Sequence, residues 1–395
     1  MDPVVGLPSE QDVLDLLRQV VDPELGVDIV TLGMVPHVRI AVDGVVTVGV
    51  KLTIGGCPLR AEIKRDVETR VALHPGVTDV RIDWGEMTAD ERSALMATAR
   101  LHAREHAPDT EVPASTRVLA IASGKGGVGK SSVTVNLAAA VAAQGFTVGV
   151  LDADIWGFSV PRLLGIDDRL EAQRVEGSDK PKILPNERPV GRGTLKVVST
   201  GFLVGEDTAL MWRGLMLAKA VEQFLRDVRW GELDYLFIDM PPGTGDVQMG
   251  LARMLPRTDL LVVTTPALAA QKVAARAADM ARRSYLRVLG VVENMSAFVC
   301  DHGESYALFG AGGGQALADE IDAPLLGQIP LEPAVAAGGD AGAPVALDGA
   351  GPAADAFRSI ARRIVEEIAP PANMAGCTAR MLSAVTAALD ARDRG

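Results

Sequence analysis

The sequence contains few aromatic residues and few cysteines. Aromatic side chains make up 4% of the 395 residues, and the only cysteines are Cys57, Cys300 and Cys377. An odd, sparse set of cysteines does not form a disulfide framework, which excludes the small disulfide-stapled secreted proteins. A reducing, cytoplasmic location is therefore expected.

Long apolar runs and dense basic runs are also missing. No uninterrupted apolar run reaches the roughly 18 residues of a transmembrane helix, and the N-terminus has no basic stretch followed by an apolar one. The formal net charge is −12, so phosphate backbones repel the chain. We therefore expect neither a nucleic acid nor a membrane as partner.

Two domains are expected, because a chain of this length exceeds what one hydrophobic core usually serves. An amphipathic pattern over 9–21 and a hairpin signal at Asp43-Gly44 indicate a small N-terminal α+β domain. A charged stretch that ends near Pro108 and Pro113 indicates a helix and a linker. The predicted divisions are 1–90 for the α+β domain, 91–116 for the helix and linker, 117–370 for the second domain and 371–395 for a C-terminal tail helix.

The second domain alternates apolar strands with helical stretches. Near-continuous apolar strands separated by helices are typical of a parallel sheet covered on both faces. The sequence therefore predicts an α/β domain with a mostly parallel sheet. The predicted strands are 117–122, 147–152, 233–239, 259–264, 287–292 and 325–329. A Gly-, Ala- and Pro-rich stretch at 338–352 predicts a loop, and 353–369 predicts a closing helix.

A glycine-rich motif follows the first of these strands. The pattern G-x-x-x-x-G-K-[ST] is satisfied in full before a helix predicted over Ser132–Gln144. The motif consists of Gly124, Lys125, Gly126, Gly127, Val128, Gly129, Lys130 and Ser131, and these residues together with Ser132 are expected to bind the nucleotide. Its backbone N–H groups and the helix N-terminus favour phosphate oxygens. We expect Lys130 to reach the β- and γ-phosphates of ATP and Ser131 to hold Mg²⁺.

Carboxylates end two further strands. Asp239 ends the predicted strand 233–239, where a carboxylate associated with Mg²⁺ is expected beside a phosphate loop. The segment Pro241–Gly245, which begins two residues later, resembles a switch II loop, and that resemblance implies a contact with the γ-phosphate. Asp152 and Asp154 lie at the end of another strand. We expect these carboxylates to gather at one edge of the sheet.

These residues, in this order, resemble the Mrp/ApbC family of P-loop ATPases, within the deviant Walker A class that includes MinD, ParA and nitrogenase reductase. The resemblance covers most of 115–370. Its segments are Ser123–Ser131, Leu151–Ile155, Trp212–Gly214, Asp239–Asp246 and Val292–Ser296. The N-terminal domain resembles the Fe–S-assembly domain of SufT-like proteins. Its matching runs are Asp22–Glu24, Leu32–Val35 and Leu52–Pro58.

The resemblance implies a role for each matching residue. Lys125 reaches across a homodimer to the partner's nucleotide, Asp154 orients the attacking water and Asp152 sits near Mg²⁺. Asn294 recognises adenine. The implied catalytic residues are Lys125, Lys130, Asp154 and Asp239, and the implied ligands of Mg²⁺ are Ser131, Asp152 and Asp239. The family is further implied to hydrolyse ATP, to hold an iron–sulfur cluster such as [4Fe-4S] between two subunits and to pass it to apo-proteins.

The sequence departs from the family where the cluster ligands are expected. Many members carry Cys-x-x-Cys after the Glu-Asn-Met-Ser run, whereas this chain has Cys300 with His302 and no second cysteine. Leu215 and Ala267 stand where Pro and Gln are expected. Cys300 is the expected cluster ligand from each subunit. The alternatives are a MinD/ParA-like positioning ATPase and a regulatory ATPase without a cluster.

Overall fold

A computed structural model describes residues 6–22, 25–53, 60–154, 157–174, 181–202, 214–243, 245–284, 286–300, 302 and 304–371. The chain divides into two units, Met1–His106 and Ala107–Gly395. Cys57, Cys377 and nearly all of the predicted tail helix at 371–395 lie outside the described residues. Every helix among the described residues is too short or too polar to cross a lipid bilayer.

The first unit combines a three-stranded sheet with three helices. Its elements are α1 (Glu10–Leu17), β1 (Val38–Ile40), β2 (Val45–Leu52), α2 (Arg60–Val71), β3 (Asp79–Glu86) and α3 (Ala89–Glu105). The sheet order is β1-β2-β3, with β1 antiparallel and β3 parallel to β2. Ser9 and Thr88 begin α1 and α3 with capping boxes, because each hydroxyl accepts from the backbone N–H three residues on.

The second unit is built on a nine-stranded sheet. Its strands are β4 (Arg117–Ser123), β5 (Thr147–Asp152), β8 (Asn186–Val190), β9 (Gly193–Ser199), β10 (Tyr235–Asp239), β11 (Asp259–Thr264), β12 (Arg287–Val299), β13 (Ser305–Tyr306) and β14 (Leu325–Leu331). The order is β13-β12-β11-β4-β10-β5-β9-β8, and β14 also pairs with β12. A separate hairpin joins β6 (Glu171–Gln173) and β7 (Lys182–Leu184). Among the residues described, the strands of the large sheet run parallel to their neighbours except at two pairs. Strand β8 is antiparallel to β9, and β13 is antiparallel to β12.

Helices cover both faces of this sheet. They are α4 (Lys130–Ala143), α5 (Val160–Leu164), α6 (Gly214–Asp227), α7 (Gly245–Met254), α8 (Leu268–Arg283), α9 (Gly313–Glu320), α10 (Pro333–Asp340), α11 (Val345–Asp348) and α12 (Pro352–Arg363), which a π-helical turn extends over Ile364–Ile368. Successive strand residues face opposite sides. Leu119 and Ile121 join the cluster under α4 and α12, whereas Val118 and Ala120 join the one under α6 to α8. The predicted α/β class with a mostly parallel sheet is confirmed.

The structure differs from the prediction in several places. The stretch 338–352 is not a continuous loop, because α10 runs to Asp340 and α11 occupies Val345–Asp348. The strand predicted to end at residue 292 continues to Val299. The strands β8 and β9 were not predicted, although β9 pairs parallel with β5 inside the sheet. Helix α4 also begins at Lys130 rather than Ser132.

Candidate functional site

The glycine-rich loop joins β4, in the middle of the sheet, to the buried helix α4. Gly127 and Gly129 have φ angles of 81° and 78°, which side chains other than glycine rarely adopt. Gly124 approaches α8 so closely that a Cβ there would lie 2.2 Å from the backbone nitrogen of Ala274. Glycine is therefore required at these positions for the loop to turn into α4 with its N–H groups unobstructed.

Lys130, Ser131 and Asp239 form one hydrogen-bonded group beneath the loop. Lys130 Nζ lies 2.6 Å from Asp239 Oδ1, and Ser131 Oγ donates to Asp239 Oδ2 at 2.5 Å. Thr134, one helical turn after Lys130, donates to Asp239 Oδ1 at 2.9 Å. The strands β4 and β10 are neighbours in parallel register, which brings Asp239 to the start of α4. The structure thus joins three residues that the sequence predicted as a phosphate and Mg²⁺ site.

Asp152 lies beside this group but has its own partners. It pairs in register with Asp239 across β5 and β10. Its carboxylate accepts from the backbone N–H groups of Ser159 and Val160 at 3.2 Å each and from Ser199 Oγ at 3.1 Å. Burial raises the pKa of the Asp152 carboxyl to about 7, and the charge of Asp239 adds to this rise while Lys130 opposes it. Asp152 therefore organises the chain that follows β5, next to the predicted metal position.

Asp154, which follows β5, and Lys125, within the loop, lie in different environments. Asp154 is buried and accepts from the backbone N–H of Gly157 at 3.2 Å. The Lys125 side chain is exposed, while its carbonyl oxygen accepts from Ser123 Oγ at 3.1 Å. Lys125 therefore points to the surface of its own chain, whereas Asp154 belongs to the buried edge of the sheet.

Asn294 contacts the loop itself. Its carboxamide Nδ2 donates to the carbonyl oxygen of Val128 at 2.9 Å, and the side chain is buried. A Cβ on Gly129 would lie 2.3 Å from the same Nδ2 atom. Asn294 lies within β12 rather than at the strand's end. The predicted adenine contact remains a prediction, and the contact with Val128 is an addition to it.

Cys300 follows the last residue of β12. Its backbone N–H donates to the carbonyl oxygen of Glu304 at 2.9 Å, which closes a hairpin with β13, and its thiol is free and half-buried. His302 is exposed in the same turn. Among the residues that the structure describes, no group of three or more His, Cys, Asp or Glu side chains is arranged to hold a metal ion. Cys300 therefore has no complete ligand set within the described part of a single chain.

Sequence reasoning missed three residues of this site. Thr134 supports Asp239, Ser199 supports Asp152, and Glu293 accepts from the backbone N–H of Gly314 and from Gln328 Nε2. Thr134 has a readable signal, because it lies four residues after Lys130 on the same helical face. Ser199 had none, since β9 itself was not predicted.

The strand, glycine loop and helix, with lysine and serine against a strand-end carboxylate, define a P-loop NTPase. Residues 114–365 match the family model described as ParA, NUBPL iron-transfer P-loop NTPase. Residues 10–84 match the model described as iron-sulfur cluster assembly protein. The chain belongs to the NUBPL-type iron-transfer P-loop NTPases, with an iron–sulfur cluster assembly domain before the NTPase domain. The predicted resemblance is confirmed for both domains.

The curated relatives extend along most of the chain. An iron-sulfur cluster carrier protein of Mycobacterium bovis is 46% identical over 338 residues, 84% of this chain and 86% of the relative. One of Deinococcus radiodurans is 43% identical over 360 residues, 90% of this chain and 95% of the relative. A solved nucleotide-binding protein from Archaeoglobus fulgidus in complex with ADP is 37% identical, with a TM-score of 0.47 over 57% of this chain and 86% of that chain.

Proposed function

We propose that this protein is an iron–sulfur cluster carrier that binds ATP with Mg²⁺, hydrolyses it as a homodimer and passes its cluster to apo-proteins. The observation that carries the nucleotide part is the buried group of Lys130, Ser131 and Asp239 at the start of α4. The family membership and the carrier relatives support the cluster part. Because those relatives match along most of the chain, a MinD/ParA-like positioning role is not favoured.

The residues present suit Mg²⁺ at this site. Mg²⁺ prefers oxygen ligands, and Ser131 Oγ and Asp239 Oδ2 lie 2.5 Å apart at the end of β10. Asp152 adjoins them in register. When bound, Mg²⁺ offsets the negative charge of the phosphate groups. Lys130 supplies a second positive charge for the β- and γ-phosphates, and the loop N–H groups hold their oxygens.

We assign the orientation of the water molecule that attacks the nucleotide to the residues after β5. Asp154 is held by the N–H of Gly157, and Asp152 fixes the neighbouring backbone at Ser159 and Val160. We propose that Asp154 orients the attacking water. Lys125, which is exposed on its own chain, is proposed to reach the nucleotide of the partner subunit and to stabilise the developing charge there.

The cluster is the cargo of this cycle, and Cys300 is its proposed ligand. Thiolates select iron–sulfur clusters over hard cations, and a full cluster set is usually four thiolates. One Cys300 from each of two subunits supplies two. His302, Cys57 or a small bound thiol would complete the set, which predicts a labile, oxygen-sensitive cluster suited to transfer.

Anaerobic reconstitution of the full-length protein tests the carrier function. Iron and sulfide content and visible absorbance would be compared between the wild type and Cys300→Ala, with Cys377→Ala as a matched control. We expect the cluster band in the wild type and the control and its loss in Cys300→Ala. An equal band in Cys300→Ala would place the ligands elsewhere. No band in any of the three would favour an ATPase without a cluster.

A further inference from the structure

The P-loop and the Cys300 hairpin are joined by one short piece of β12. Asn294 donates to the carbonyl oxygen of Val128, inside the phosphate loop. Cys300 lies six residues later, directly after the last residue of β12, and opens the hairpin with β13. One hydrogen bond therefore connects the loop backbone at Val128 to the strand that leads to the thiol.

This piece of strand is irregular at the point where transmission would occur. Met295 has a φ of 56°, a left-handed conformation that is unfavourable for a residue with a Cβ. The pairing with β14 passes from Asn294–Ile329 to Phe298–Leu331, so β12 bulges by two residues over this interval. Bulges beside active sites re-aim the side chains that follow, and strained backbone persists where its surroundings hold it.

The other end of the hairpin is held by the residue before Asn294. Glu293 is almost fully buried, and its carboxylate accepts from the backbone N–H of Gly314, in the first turn of α9, and from Gln328 Nε2 at 2.6 Å. The segment between β12 and α9 is thus fixed at both ends by adjacent residues. Glu293 binds it to α9 and β14, while Asn294 binds it to the phosphate loop. The bulge lies just after these two residues, between Asn294 and Phe298, and so separates them from the hairpin that carries Cys300.

We propose that the Asn294–Val128 hydrogen bond and the Met295 bulge couple nucleotide binding at the P-loop to the exposure of the Cys300 thiol. Asn294 is a positioning residue in this scheme, because it acts on Cys300 through the bulge. The inference rests on the proposed function, and it names how ATP controls the cluster ligand. A ligand that binds one hairpin position better than the other shifts their populations by that difference in affinity.

The thiol itself reports the coupling, without any cluster. In a Cys57→Ser, Cys377→Ser background, Cys300 is the only cysteine, and its alkylation rate by a maleimide is measured with and without a saturating non-hydrolysable ATP analogue and Mg²⁺. We expect the rate to change by at least about fivefold, the lower end of ordinary coupling between sites. Asn294→Ala should bring the ratio of the two rates close to one, with occupancy verified by a separate binding measurement.

A matched control is Asn136→Ala. Asn136 is another buried asparagine, on α4, which donates to the carbonyl oxygen of Ser132 and accepts from the N–H of Ala346, away from β12. Asn136→Ala should therefore keep the wild-type ratio between the alkylation rates of Cys300 with and without nucleotide. Should Asn294→Ala fail to fold, Asn294→Asp keeps the shape and removes the donor, and the same loss of coupling is expected.

Two results would overturn the coupling. One is a wild-type thiol whose rate is the same with and without saturating nucleotide. The other is an Asn294 variant that binds nucleotide and keeps the wild-type ratio. Neither result depends on the visible absorbance of a bound cluster. Failure of the coupling is therefore distinguishable from failure of the carrier function.

Discussion

Lys130 and Asp239 form an ion pair in which Nζ lies 2.6 Å from Oδ1 and both side chains are at most 6% exposed. Such a pair is expensive to bury, and losing one partner leaves an uncompensated charge. In the proposed function, the phosphates of a bound nucleotide would compete with Asp239 for the same ammonium group. We therefore expect Lys130 to serve both the stability of the sheet edge and the binding of nucleotide.

Removing this ammonium group should abolish turnover. Lys130→Ala is expected to lower the ATP hydrolysis rate by at least about a hundredfold, the usual cost of removing one charge-stabilising donor. The free energy of unfolding should also fall, by up to about 3–5 kcal/mol, because Asp239 is left buried without a cation. Phosphate release and urea unfolding measure the two effects. Lys272→Ala, on the exposed surface of α8, is the control and should change neither. Normal hydrolysis by folded Lys130→Ala would end the P-loop assignment.

A mixture of two inactive variants should regain activity if Lys125 acts in the partner's site. In a heterodimer of Lys125→Ala and Lys130→Ala subunits, the intact P-loop belongs to the Lys125→Ala subunit, and its partner still supplies Lys125. Hydrolysis by the mixture, measured against each variant alone, is the test. Heterodimer formation must be verified by differently tagged subunits. No recovery in verified heterodimers would disprove the action in trans.

Two loop glycines should respond differently to alanine. At Gly124 the added Cβ meets the backbone of α8, so Gly124→Ala should lower the free energy of unfolding by about 1–3 kcal/mol, as overpacking does. At Gly126 nothing lies within 4 Å of the added Cβ. Gly126→Ala should therefore unfold at nearly the wild-type urea concentration. Equal midpoints for the two variants would contradict the close packing of the loop on α8.

Glu293 should not tolerate glutamine. Each of its carboxylate oxygens accepts from a different donor, the N–H of Gly314 and the amide of Gln328. A glutamine has one acceptor oxygen, so Glu293→Gln turns an NH₂ group toward a donor and should cost about 1–3 kcal/mol of unfolding free energy. Urea denaturation measures the loss. Glu320→Gln, the same change at an exposed position of α9, is the surface control and should alter stability little. Wild-type stability of Glu293→Gln would show that these hydrogen bonds are replaceable.

The sequence predicted the sheet and the phosphate site because both leave local signals. The buried strands are continuous apolar runs, and the order strand, glycine loop, helix is complete around Lys130. The position of Asp239 beside Lys130 followed from parallel strands ending at one edge. Corrections occurred where tertiary contacts override local propensity. Helices α10 and α11 form in a Gly- and Ala-rich stretch because α11 packs on α4, where Asn136 accepts from the N–H of Ala346.

The contacts of Asn294 and Glu293 could not be predicted in the same way. Both contacts depend on which distant residues the fold places next to β12. The continuation of β12 through a bulge also has no simple sequence period. Val128 is 166 residues from Asn294 along the chain. A single sequence offers no signal for a hydrogen bond of this kind.

The edge strand β8 of the large sheet restricts how two chains can associate. An open edge strand offers unpaired N–H and C=O groups to another molecule. Here the edge strand carries Pro189, which has no N–H to donate, beside the charged side chains of Glu187 and Arg188. These residues disfavour pairing of β8 with a strand of another chain. The proposed homodimer would therefore use other surfaces, such as the loops at the carboxyl ends of the strands, where Lys125 is exposed.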